Sequence, residues 1–152
     1  MLAGSRTRRV AIALSLAVAL ITGGIIAPVA AGTVGSVTNY TLTGIVHPWH
    51  VAAGVDGNLW FTESSGNKIG RITPTGTVHT FAVPTASSSP HDITNGPDGN
   101  LWFTESSGNK IGKITPGGTI TEYALPTGHR DPQGITAGPD GNIWFTEGST
   151  FS

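Results

Sequence analysis

The chain has 152 residues, no cysteine and a formal net charge of −1, which allows one or two ordinary domains and excludes a small disulfide-stapled scaffold. Charged residues are 11% against 38% hydrophobic, with 22 glycines and 10 prolines, so the chain is no charge-rich disordered polymer and reads as turn-dense all-β. Arg6, Arg8 and Arg9 hold three of the eight basic residues; beyond them five basic face nine acidic side chains, a balance that argues against a nucleic-acid partner.

In chain order, the basic cluster is followed by a mainly apolar run, Val10 to Ile26, and then by Pro28-Val29-Ala30-Ala31-Gly32. Basic, apolar and small-residue segments in that order are the layout of an export signal, and the run is marginal for the roughly 20 residues that span a bilayer. Residues 1–31 are therefore expected to be a secretory signal peptide cleaved before Gly32, leaving a secreted, extracytoplasmic product that is not an integral membrane protein. The Arg8-Arg9 pair leaves the general and the twin-arginine export routes both open.

The remainder repeats. Asp56-GNLWFT-Glu63 returns as Asp98-GNLWFT-Glu105 and Asp140-GNIWFT-Glu147, each copy 42 residues after the last. SSGNKIGRITPTGT from Ser64 recurs as SSGNKIGKITPGGT from Ser106. A period of this size marks a repeat architecture. Within one period, short apolar runs alternate with Gly, Pro, Asn and Asp, the signature of strands joined by tight turns. The second copy is expected to form strands over 92–95, 101–105, 110–115 and 120–125, with a preceding fourth strand near Val37 to Leu42.

Leu101 and Phe103 point to one face of their strand and Trp102 to the other, so both faces are apolar. Sheets stacked on copies of themselves bury two such faces, which predicts a β-propeller of four-stranded blades in 32–152. Eleven strands can be placed, about 2.75 blades.

The unit GPDGNLWFTESSGNKIGKITPGGTITEYALP, preceded by SPHDIT, resembles the repeat of the virginiamycin B lyase family over roughly residues 37–147. That resemblance implies a seven-bladed propeller, of which this chain would be a truncated form or fragment. It also implies a carbon–oxygen lyase that opens type B streptogramins, cyclic depsipeptides, by elimination with Mg2+. Removing a proton alpha to a carbonyl and expelling a carboxylate calls for a base of near-neutral pKa, for which histidine is suited.

In the family, a His follows Pro at the mouth of the inner strand on two adjacent blades, and a Glu stands two positions before the second His. The corresponding tripeptides here are His47-Pro48-Trp49, Ser89-Pro90-His91 and Asp131-Pro132-Gln133. Only His91 keeps the His; with Asp131 standing for the Glu, these two are the candidate catalytic residues, but Gln133 has no basic nitrogen. His91 is weighed against a role as a strand-entrance cap. His47, His50, His79 and His129 read as loop or strand-surface residues, and strand alternation would turn His50 away from the His91 position.

Glu63, Glu105 and Glu147 recur with the strand string and read as turn caps or inter-blade hydrogen bonders rather than a metal ring. Trp60, Trp102 and Trp144 read as packing between blades, and Asp56-Gly57-Asn58 with its copies as turns, not calcium loops. Two classes of function follow: a lyase on a cyclic depsipeptide or other small ligand, or a secreted module binding a peptide, glycan or protein without chemistry. Open blade edges would also favour self-association.

Overall fold

The computed structural model describes residues 10–12, 38–40, 44–126 and 131–148. The chain divides into two compact units, Met1–Thr43 and Gly44–Ser152. In the first, β1 (Val10–Ile12) pairs antiparallel with β2 (Thr38–Tyr40). The fourth strand expected near 37–42 is thus β2, though its partner lies inside the apolar run rather than in a blade. The rest of the expected export segment, and His129, lie outside the described residues.

The second unit is a partial β-propeller. Blade one is the antiparallel sheet β3 (Pro48–Ala53), β4 (Leu59–Glu63), β5 (Lys68–Ile72) and β6 (Val78–Ala82). Blade two repeats it as β7 (Pro90–Asn95), β8 (Leu101–Glu105), β9 (Lys110–Ile114) and β10 (Ile120–Ala124). β11 (Pro132–Ala137) and β12 (Ile143–Glu147) pair as the first half of a third. The innermost strands stand side by side, β7 against both β3 and β11. Among the described residues there is no helix long and apolar enough to cross a membrane.

Short-range chemistry sets each hairpin. Asp56 accepts the Asn58 N–H at 3.2 Å and the Asn58 side-chain amide at 2.8 Å, and takes the Trp60 indole N–H at 3.2 Å. Burial opposes ionisation, but these bonds win and hold the Asp56 carboxyl below its ordinary value. Asp98 and Asp140 repeat the bracket with Trp102 and Trp144, so these segments are turns, as expected. The glycine of NKIG has a packing reason: a Cβ on Gly70 or Gly112 would come within 2.1 Å of the Phe61 or Phe103 ring.

The core lies between blades one and two, where Trp60 and Ile69 meet Ile93, Leu101, Phe103 and Ile114. Trp60 stacks on Phe81 with ring centres 5.6 Å apart, and the Arg71 guanidinium lies over both rings while bonding Pro116 O at 2.8 Å across the blade gap. One period later Trp102 stacks on Tyr123 beneath Lys113 and is only half-buried; Trp144, at the same place again, is 59% exposed. The same side chain therefore goes from core to surface as the stack runs out of neighbours.

Candidate functional site at the inner-strand mouths

Each inner strand enters its blade through the same distortion. His47, Ser89 and Asp131 occupy one repeat position and all have positive φ, 50°, 54° and 55°. A proline follows each, and then the ladder shifts: Pro90 pairs with Glu105 and Ile93 with Phe103, so His91 and Asp92 together oppose Thr104. β3 and β11 shift at the same place. Such a bulge leaves two residues out of the ladder and re-aims their side chains.

The threonine opposite each bulge repairs the ladder. Thr104 Oγ accepts the Asp92 N–H at 3.0 Å and donates to Gln133 O on the next blade at 2.8 Å. Thr62 does the same between the His50 N–H, at 3.1 Å, and His91 O, at 2.7 Å. Each bulge is thus tied to the one beside it, which brings their side chains together.

Trp49 and His50 from β3 meet His91 and Asp92 from β7. The Trp49 ring centre is 5.3 Å from that of His91, and the His50 ring stands edge-on to His91 at 5.8 Å. His50 Nδ1 lies 3.0 Å from Asp92 Oδ1. Simple alternation would have turned His50 away; the bulge between Pro48 and Val51 cancels that alternation, which is why this reading of His50 is corrected. Neither His50 nor Asp92 stood out in the sequence as a site residue, and the one available signal was their shared repeat position, 42 residues apart, directly after the Pro-x pair.

His91 and Asp131, the two residues expected to carry chemistry, are not joined. Asp131 accepts from the Gln133 side-chain amide, and its N–H donates to Asn109 Oδ1 at 2.9 Å. His91 Nδ1 is buried with no hydrogen-bond partner. Among the described residues no three His, Asp or Glu side chains are grouped to hold a metal ion.

The repeated glutamates behave unequally. Glu63 is buried and accepts the Val46 N–H at 3.0 Å, as a cap on the strand entrance. At the equivalent place in blade two, the Ser88 N–H and hydroxyl both turn to Asn67 Oδ1 of the blade before. Glu105 is left fully buried with neither carboxyl oxygen in hydrogen-bonding geometry. Burial, and then the nearby charge of Glu122, push its carboxyl up to about 7.

Fold and site together define a stacked-blade β-propeller with an imidazole–carboxylate cluster where its inner strands begin. The family model described as "Virginiamycin B lyase family" matches residues 20–150, and the chain belongs to that family. Curated relatives include a virginiamycin B lyase of Nocardia farcinica, 39% identical over 56 residues, which are 37% of this chain and 19% of that protein. Another, from Bordetella bronchiseptica, is 49% identical over 43 residues, 28% of this chain and 14% of the relative.

Among solved structures, a catalytically inactive variant of the Staphylococcus aureus virginiamycin B lyase with quinupristin matches with a TM-score of 0.72 and 45% identity, over 76% of this chain and 40% of that one. The chain thus spans about two fifths of the solved lyase's length. A nidogen/laminin complex, at TM-score 0.61 and 24% identity, shares the fold alone, over 73% of this chain and 43% of that one.

Proposed function

We propose that the chain is an exported piece of a streptogramin B lyase-type propeller, whose inner-strand mouths meet a cyclic depsipeptide and whose His91 is the proton-accepting group. The observation that carries this reading is the gathering of His91, His50, Asp92 and Trp49 at one bulge mouth, in a chain of this family. Elimination would take the proton from the carbon beside the one that bears the ester oxygen, a carbon alpha to a neighbouring amide carbonyl, onto an imidazole; a C=C bond forms, the alkyl C–O bond breaks and the acyl half leaves as carboxylate. Export by residues 1–31 and a magnesium requirement are parts of the proposal that rest on the sequence and the family resemblance respectively.

The same chain, assayed alone, is expected not to turn over. Gln133 stands where a second imidazole belongs, and Asp131 is engaged by the Gln133 amide rather than by His91. A positioned acid–base group is worth about a hundred- to ten-thousandfold in rate, and half a pair does not supply it. The test is incubation of the purified chain and of His91→Ala with a type B streptogramin and magnesium. Elimination opens the ring without change of mass, whereas hydrolysis adds one water. A linear, mass-neutral product that disappears in His91→Ala would overturn the expectation of inactivity and make His91 catalytic in this chain. The second reading, a secreted module that binds peptide, glycan or protein without chemistry, is favoured by the engaged Asp131; saturable binding of an intact ligand would support it.

A further inference from the structure

His50 and Asp92 lie outside the Pro-x position that the lyase reading uses, yet they form the best-defined polar pair of the mouth. Both oxygens of Asp92 are engaged as acceptors. Its Oδ1 faces His50 Nδ1 at 3.0 Å and takes the Ile93 N–H at 2.8 Å, and its Oδ2 takes the Ile135 N–H from β11 at 2.9 Å. A carboxylate so engaged accepts and does not donate, so the proton between the two side chains sits on Nδ1. A neutral His50 ring then carries its lone pair on Nε2. That side chain is 50% exposed, and beside it stands Trp49, which is 59% exposed.

We infer that His50 is a ligand-binding proton acceptor of this mouth and Asp92 its positioning residue, for a peptide-type ligand that lays a planar amide or aromatic group on Trp49 and donates an N–H to His50 Nε2. A second imidazole is thereby supplied to His91 from the blade before it, not from the blade after it where Gln133 stands. The inference deepens the lyase reading and rests on it only for which face meets the ligand. Its rival is a purely structural clasp, in which His50 and Asp92 merely tie β3 to β7.

Long-range proton–nitrogen NMR of the whole chain, labelled at histidine, reads the tautomer directly. His50 is expected with Nδ1 protonated and Nε2 bare, and the opposite tautomer overturns the inference. Asp92→Ala, where it folds, should leave His50 a tautomer mixture; a folded variant that keeps the wild-type tautomer removes Asp92 as the positioning residue. Titration then follows with N-acetylphenylalanine methylamide and, separately, with a type B streptogramin.

The His50 Nε2 resonance and Trp49 fluorescence are expected to move with at least one probe, and His50→Ala should bind that probe about tenfold more weakly. A His50→Ala variant that loses thermal stability but keeps wild-type probe affinity establishes the clasp and overturns the inference, as does silence of His50 towards both probes. A response to the methylamide without one to the streptogramin upholds the pair and counts against the streptogramin reading.

Discussion

Replacing Glu105 by glutamine should stabilise the protein above neutrality and change little in acid. The carboxyl is fully buried with neither oxygen in hydrogen-bonding geometry and is raised from an ordinary 4.5 to about 7, first by burial and then by Glu122, against the opposing pull of the nearby Ser88 hydroxyl and Lys110. In the unfolded chain it ionises near its ordinary value. Between the two values the native state holds the proton and the unfolded state does not, so stability falls as pH rises from about 4.5 to about 7 and stays reduced above.

At about 1.4 kcal/mol per tenfold change, the full cost is of order 3 kcal/mol. A glutamine side chain keeps the shape of the protonated acid and cannot ionise, so the difference between variant and wild type isolates this one group. Asp56, Asp98 and Asp140, all held below 3.8, titrate beneath the window. Urea unfolding followed by tryptophan fluorescence at pH 5 and pH 8 is the assay. Glu105→Gln should be favoured over wild type by about 1–3 kcal/mol more at pH 8 than at pH 5. A variant–wild-type difference that is the same at both pH values, or that favours wild type at pH 8, refutes the reasoning.

Trp60→Ala and Trp144→Ala alter the same residue of the same repeat string, yet the buried Trp60 should cost about 3–5 kcal/mol and the exposed Trp144 under about 1 kcal/mol, as read by thermal melts. Equal costs would show that the exposed indole is packed in solution. Residues 32–152 should elute as oligomers in size-exclusion chromatography, driven by apolar side chains such as Val51, Trp144 and Phe145 left exposed; a sharp monomer peak contradicts this. Residues 1–36 fused to a reporter should direct secretion with cleavage next to Ala31, and N-terminal sequencing that returns Met1 removes the export proposal.

Strand order, blade length and the packing role of Trp60 were legible because a 42-residue repeat states each of them more than once. The turn role of Asp56 and its copies was legible for the same reason. The bulges were not. Two residues against one is a property of pairing between strands, and nothing in Pro-His-Asp-Ile read singly announces that His91 and Asp92 both leave the ladder. His50 was misplaced on that account alone. The unequal fates of Glu63 and Glu105 were hidden by their identical local sequences, since the difference arises from Asn67 on the neighbouring blade drawing Ser88 away. β1 escaped notice because a strand of three residues inside an apolar run has no periodicity to betray it.

Thr62 and Thr104, the threonines of the first two WFTE strings, each link a bulge in their own blade to the bulge of the next through a single hydroxyl. Each hydroxyl and the carbonyl it reaches are 29 residues apart, and the link recurs one 42-residue period later, so a gain or loss of a whole unit keeps every such link in phase. Gains or losses of any other length break it. Serine in place of either threonine keeps the link. Valine, nearly the same shape, does not, so each joint between neighbouring bulges depends on one hydroxyl.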